Sequence, residues 1–175
     1  LQRAREYGNV GDYNQSIPGL NGRLPEISAV LGLHNLKHLD HSISHRNKLV
    51  DLFKRDLEDI PGLQWQLVAD SDTSTYKDLS CKLNSDQFGL SRDQLVKALE
   101  AEGIEMRTYY HIPCHLQENW KKQVGSDGVR LPVTESLSDS VLSFPIWSHM
   151  QERDLALVAQ AVREIHKWAP SIKSL

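Results

Sequence analysis

The chain has 175 residues, of which 39% are hydrophobic and 25% charged, and its formal net charge at pH 7 is −3. A chain of this length can bury one sizeable core and needs no second domain to do so. The slightly acidic balance, without a run of Lys and Arg interleaved with aromatic residues, argues against a nucleic-acid partner. No stretch approaches the roughly 18 apolar residues of a membrane span, so no membrane partner is predicted.

Two cysteines, Cys81 and Cys114, lie far apart in the sequence. Small secreted proteins that depend on disulfides carry more cysteines than this, and at closer spacing. We therefore expect reduced thiols and a cytoplasmic location.

The first stretch to consider is the loop at residues 19–23, which follows a short helical tail and an aperiodic stretch rich in Gly, Asn and Asp. Pro25 suits the first turn of a helix, and Glu26 is favourable near its positive end. Asn21 and Arg23 place an amide and a guanidinium where the helix dipole attracts anions, an arrangement that can bind a phosphate. Taken alone, a polar loop with a glycine before a helix more often marks an ordinary helix start.

The helix that begins here is predicted to continue to about Ile60, but its apolar residues change sides along its length. Its first part carries Ile27, Val30 and Leu31 on one side, whereas Leu36, Leu39 and Ile43 lie roughly opposite. The helix either bends near Gly32 or is buried on different faces. In both cases its first part contacts something that its second part does not, such as another domain or a dimer partner.

Alternating apolar residues predict strands at residues 63–67, 76–83 and 104–110, with a further brief strand at 141–144. A capping box at residues 91–94 begins a helix that ends at Gly103. Shorter helices or turns are predicted at 117–124 and 131–137, a loop at 125–128, and a last amphipathic helix at 151–168. The expected fold class is α/β (α+β), with one long helix and further helices packed on a small, mostly antiparallel sheet.

Four histidines are spaced by four, three and four residues on the long helix, so they share one face: His34, His38, His41 and His45. Neighbouring turns of this kind can chelate zinc or nickel. No carboxylate or cysteine completes a familiar ligand spacing, and a metal site also requires oriented second-shell partners. We therefore interpret the stripe as a solvated or partner-facing surface and predict no metal.

The segment His111-Ile112-Pro113-Cys114-His115 places two histidines beside a cysteine. A nucleophilic thiol needs a base that is oriented by a third group, and neighbours in an extended segment point to opposite faces. A structural turn fixed by Pro113 is the simpler alternative.

Several of these stretches together resemble one enzyme family, the DegT-type sugar aminotransferases. The similarity is carried in chain order by Gly-x-Asn-x-Arg with its following helix, by Leu39-Asp40 and Arg46, and by the segments at 103–115, 131–132, 137–138 and 142–146. Members of this family are pyridoxal-phosphate enzymes of the aspartate-aminotransferase fold. The resemblance implies that this chain is the C-terminal portion of such an enzyme. Residues 1–23 would then be a linker from a missing large cofactor-binding domain, and residues 24–175 the small domain.

The resemblance also implies roles for particular residues. Asn21 and Arg23 match positions that reach across a dimer interface towards the cofactor phosphate, so a homodimer is expected. Tyr109, Tyr110 and His115 match positions near the nucleotide-sugar substrate, whereas His111 and Cys114 depart from the commonest family pattern.

The complete enzyme is expected to transfer an amino group from glutamate to a nucleotide-linked keto sugar. No lysine of this chain stands in the context of the family's Schiff-base lysine, so no catalytic residue is assigned here. The chain would complement an active site that it cannot form alone, completed by the large domain or by another chain. The alternative is a free-standing, non-catalytic dimerisation or binding module derived from the family.

Overall fold

The computed structural model describes residues 2–8, 15–124 and 129–173. The chain divides into two compact units, with the boundary between His41 and Ser42. No helix in the described ranges is both long and apolar enough to cross a membrane.

The first unit contains helix α1 (Gln2–Arg5), helix α2 (Glu26–Leu36) and the start of helix α3 (Leu39–Asp56). The predicted loop before α2 packs against the turn that follows α1. A Cβ atom added to Gly19 would lie only 2.2 Å from the backbone nitrogen of Gly8, so this close approach requires glycine.

The prediction of one continuous helix to about Ile60 was wrong, because two separate helices, α2 and α3, occupy this stretch. The chain leaves the α-helix at Lys37 and His38, whose amides bond to carbonyl oxygens three residues back at 3.2 and 3.0 Å. Such tighter bonds close a helix end, and a new helix then begins at Leu39. The interruption is not at Gly32, which lies inside α2, and the four histidines therefore do not share one continuous helix face.

The second unit begins in α3 and continues through short strands and helices. In chain order these are β1 (Leu63–Trp65), β2 (Leu79–Leu83), α4 (Ser85–Phe88), α5 (Arg92–Ala101), a 3₁₀ turn (Cys114–Leu116), α6 (Glu118–Val124), α7 (Pro132–Ser140), β3 (Val141–Phe144), α8 (Glu152–Lys167) and α9 (Ala169–Lys173). Within the described residues the strands form one antiparallel sheet in the order β1-β2-β3. This agrees with the expected fold class of helices on a small antiparallel sheet.

The core lies between one face of this sheet and the helices. The predicted inward residues of β2, Leu79, Cys81 and Leu83, are all buried. Phe53 of α3 packs edge-on against the rings of Phe144 and Trp65. The amphipathic helix α8 contributes Leu155, Val158, Val162 and Ile165 to the same core.

The strand predicted at residues 104–110 does not form. Arg107 exchanges two backbone hydrogen bonds with Ser143 of β3, at 3.2 and 2.7 Å, and the pairing remains an isolated bridge. The chain turns at Tyr109 and Tyr110 soon afterwards. Too few residues therefore remain after Arg107 to form further backbone hydrogen bonds with β3. The capping box at Ser91 is confirmed, and the loop predicted at 125–128 falls outside the described residues.

Candidate functional site

The second unit contains a cleft of about 620 Å³. Three residues that the sequence singled out, Tyr109, Tyr110 and His115, line it together. Helices α6 and α7 contribute further wall residues, including Trp120 and Leu137. The cleft therefore combines aromatic and aliphatic surface with a few polar groups, as small-molecule sites usually do.

The two tyrosines form a stacked pair. Their ring centroids are 4.9 Å apart, with an angle of 26° between the planes, and Tyr110 is 75% exposed. The ammonium of Lys77 lies 5.8 Å from the centroid of the Tyr109 ring and pairs with Asp78, which raises the pKa of Lys77. An exposed aromatic face of this kind can stack on a planar ligand group.

His115 is the buried polar residue of the cleft. Its side chain is 7% exposed, and its Nε2 atom lies 3.0 Å from Oε1 of Glu135. The same carboxylate oxygen accepts a 2.8 Å hydrogen bond from the backbone N–H of Leu131. The Leu131 amide, followed by His115, lowers the pKa of the Glu135 carboxyl below its usual value.

Two residues of α7 support the cleft and were not singled out as site residues from the sequence. Glu135 holds His115, and Ser138 donates a 2.8 Å hydrogen bond to the carbonyl oxygen of Tyr110. A partial signal exists, because Pro132 followed by an acidic residue in the first turn marks a helix start whose carboxylate can reach back to the backbone. Nothing in the sequence links that helix to residues more than 15 positions earlier.

Cys114 is exposed and lines the cleft. The Nδ1 atom of His111 lies 3.6 Å from Oδ1 of Asp139. The contacts of His111 and Cys114 provide no base oriented towards the thiol. In the described parts of the chain, no cluster of three or more His, Cys, Asp or Glu side chains is placed to hold a metal.

Asn21 and Arg23 belong to the first unit, just before the N-terminus of α2. Both residues are exposed. The backbone of Asn21 forms an isolated bridge with Glu6, and the guanidinium of Arg23 makes no hydrogen bond or ion pair with any residue that the structure describes. An unpaired guanidinium beside a helix N-terminus fits a phosphate group chemically.

Comparison with known proteins gives consistent results at the levels of sequence and fold. The sequence profile of the DegT/DnrJ/EryC1/StrS aminotransferase family matches residues 2–163. The chain is 30% identical over 172 residues to dTDP-3-amino-3,4,6-trideoxy-alpha-D-glucose transaminase of Streptomyces venezuelae, a match that covers 98% of this chain and 43% of the relative. It is 28% identical over 152 residues to dTDP-4-amino-4,6-dideoxy-D-glucose transaminase of Escherichia coli, covering 87% and 41%.

Among solved structures, S. venezuelae DesV in complex with a ketimine intermediate matches with a TM-score of 0.82 and 30% identity, over 96% of this chain and 43% of that one. DesI in the presence of its TDP-sugar product matches with a TM-score of 0.84 and 25% identity, over 99% and 43%. The chain thus spans about two fifths of the length of these relatives. Since the profile matches most of the sequence and the fold agrees, this chain belongs to the DegT/DnrJ/EryC1/StrS aminotransferase family.

Proposed function

We propose that this chain is the small C-terminal domain of a pyridoxal-phosphate-dependent nucleotide-sugar aminotransferase. The single observation that carries the proposal is the convergence of Tyr109, Tyr110 and His115 on one cleft, within a chain whose relatives are sugar transaminases. Residues 1–23 act as the linker from a large cofactor-binding domain, and residues 24–175 form the small domain.

In the complete enzyme, the cleft contributes contacts to a nucleotide-linked keto sugar that receives an amino group from glutamate. The stacked tyrosines offer an aromatic surface at 4.9 Å ring separation, and His115 offers a buried polar group. Pyridoxal phosphate supplies the electron sink for amino transfer when it is bound. This chain's own residues bind and orient the substrate and supply no Schiff-base lysine.

Asn21 and Arg23 hold the phosphate end of the cofactor bound to the other subunit of a homodimer. The exposed, unpaired guanidinium of Arg23 supports this role, because bidentate donors suit phosphate oxygens. The first unit also offers an apolar surface for association. None of the residues of α2 is buried, although the helix carries Ile27, Val30 and Leu31.

A nucleotide-sugar titration tests the role of the cleft. In a ¹⁵N-labelled sample, dTDP-glucose at millimolar concentration is expected to shift the resonances of Tyr109, Tyr110, His115 and the Trp120 indole. Free glucose serves as the control ligand. Absence of any shift, or shifts confined to surfaces outside the cleft, would contradict the proposed function.

The second candidate is a free-standing, non-catalytic dimerisation or binding module of the same family. The observation that favours it is the exposed apolar surface of α2, a helix in which no residue is buried. The intact mass of the native protein distinguishes the two candidates. A mass near 19.9 kDa supports the free module, whereas a mass more than twice as large supports a domain of the complete enzyme.

A further inference from the structure

One nitrogen of a buried imidazole in the cleft has no partner among the residues that the structure describes. His115 is more than nine-tenths buried, and its Nε2 atom pairs with Glu135. Its Nδ1 atom makes no hydrogen bond within the described residues. A buried polar atom is normally paired, so an unpaired one that lines a cleft indicates a ligand group that would complete it.

Glu135 determines which ring nitrogen carries the proton. Its lowered pKa, caused first by the Leu131 N–H, means that it is ionised at neutral pH and can only accept hydrogen bonds. Nε2 must therefore donate across the 3.0 Å contact. In the neutral ring, Nδ1 is then an acceptor, which can pair with a hydroxyl group but not with an ionised phosphate oxygen.

We infer that Glu135 is a positioning residue for substrate binding: it fixes the Nε2–H form of His115 and thereby presents Nδ1 as the acceptor for a hydroxyl group of the sugar. This inference rests on the proposed function, because it assigns part of the same cleft to the sugar rather than to the diphosphate. Glu135 itself is not among the residues that line the cleft, so it acts through His115.

The first test is spectroscopic and needs no ligand. At about pH 8.5, where an ordinary imidazole is neutral, ¹⁵N NMR of the ring is expected to show His115 predominantly as the Nε2–H form. Glu135→Gln should keep this form, because one amide oxygen can still accept from both His115 and Leu131. Glu135→Ala should give a mixture of the two forms. A wild-type ring protonated at Nδ1, or an unchanged ring in Glu135→Ala, would overturn the inference.

The second test adds dTDP-glucose or dTDP to the same chain. The Nδ1 resonance of His115 should shift with dTDP-glucose and remain unchanged with dTDP. Glu135→Ala should weaken dTDP-glucose binding by about 3- to 10-fold, the loss expected for one neutral hydrogen bond, while dTDP binding stays constant. Glu135→Gln should restore the affinity. Glu118→Ala, at an exposed carboxylate in the first turn of α6, is the matched control.

The outcomes distinguish a failure of the proposed function from a failure of the inference about Glu135. If neither ligand moves any resonance of the cleft, the proposed function is contradicted and the inference fails with it. If Tyr109 and Tyr110 respond to dTDP-glucose but Nδ1 of His115 does not, only the inference is wrong. The wild-type measurements decide this even if Glu135→Ala fails to fold.

Discussion

The side-chain hydroxyl of Ser138 donates a 2.8 Å hydrogen bond to the backbone carbonyl oxygen of Tyr110. This contact joins α7 to the segment that carries the stacked tyrosines, across 28 residues of sequence. Ser138→Ala should therefore destabilise the chain by about 1 kcal/mol, the typical net value of one intramolecular hydrogen bond, and weaken binding of dTDP-glucose. Urea unfolding measures the first effect and NMR titration the second.

Ser136→Ala is the matched control, because Ser136 lies on the same helix and is exposed. Equal stability and equal affinity of the two variants would show that the hydroxyl of Ser138 does not hold the tyrosine segment.

The two thiols should react very differently in the folded chain. Cys114 is exposed, whereas burial of Cys81 raises its pKa to about 12, and only the thiolate is nucleophilic. A thiol reagent at pH 8 should label one cysteine in the native protein and two in urea. Cys114→Ser should abolish the native reaction. Rapid labelling of Cys81 in the folded Cys114→Ser variant would contradict its buried position.

The chain is expected to self-associate through α2. Ile27 and Leu31 are 74% and 58% exposed, one turn apart on the same helix. Covering such side chains contributes about 1.5–3 kcal/mol each when burial is complete, and contiguous apolar patches usually mark interfaces. Changing both residues to Glu should shift the protein from dimer to monomer in light scattering at tens of micromolar, with the far-UV circular dichroism retained.

Leu157→Glu is the control for that experiment, because Leu157 is an exposed leucine on a helix of the second unit. It should leave the association unchanged. A wild-type chain that remains monomeric under the same conditions would show that α2 is not a dimer interface.

The aromatic cluster of the core should make a large contribution to stability. Phe53 is buried, with its ring centroid 5.1 Å from that of Phe144 and 5.7 Å from that of Trp65. Phe53→Ala should lower the free energy of unfolding by about 3–5 kcal/mol, and Phe53→Leu by less. Far-UV circular dichroism during urea unfolding provides the measurement. If Phe53→Ala lowers the free energy of unfolding by less than about 1 kcal/mol, neighbouring side chains fill the space and the predicted large contribution is wrong.

The surface pair of Asp59 and Arg163 should make part of the stability depend on pH. The hydrogen bond from Arg163 lowers the pKa of the Asp59 carboxyl in the folded state. A carboxyl with a lowered folded-state pKa stabilises the fold above its unfolded pKa and loses this effect as pH falls through the folded value. Asp59→Asn should therefore be less stable than wild type at pH 7, and the difference should shrink below pH 3.8.

Asp70→Asn provides the comparison, since Asp70 is exposed and forms no ion pair within the described ranges. Its effect gives the baseline for the loss of one exposed carboxylate at each pH. A difference between wild type and Asp59→Asn that persists unchanged in acid would exclude the ion pair as its cause.

Elements whose signal is local were predictable from the sequence. The capping box at Ser91 and the alternation in β2 each specify a structure within a few residues. The strand at 104–110 was a wrong prediction because its pattern says nothing about pairing length, and only Arg107 meets a partner. The interruption at Lys37 was missed because periodicity averaged over two helices conceals a two-residue turn.

The candidate site shows the same limit. Tyr109, Tyr110 and His115 were proposed as site residues because they lie in one short segment that resembles a family motif, and their roles stay predictions. Glu135 and Ser138 were not proposed as site residues. Their contacts span 20 and 28 residues of sequence and arise only when α7 packs beside that segment. Asn21 and Arg23 stay predictions, because their expected phosphate belongs to another subunit.

The absence of any buried residue in α2 has a consequence for amide hydrogen exchange. All core residues in the described ranges lie beyond Ser42, and α8 packs in this core, so its backbone amides become accessible to solvent only when the core opens. In the monomer, the amides of α2 need only the fraying of one short helix, which costs far less free energy. Deuterium should therefore enter α2 of the monomeric Ile27→Glu, Leu31→Glu variant within the earliest labelling times, and α8 only after global unfolding.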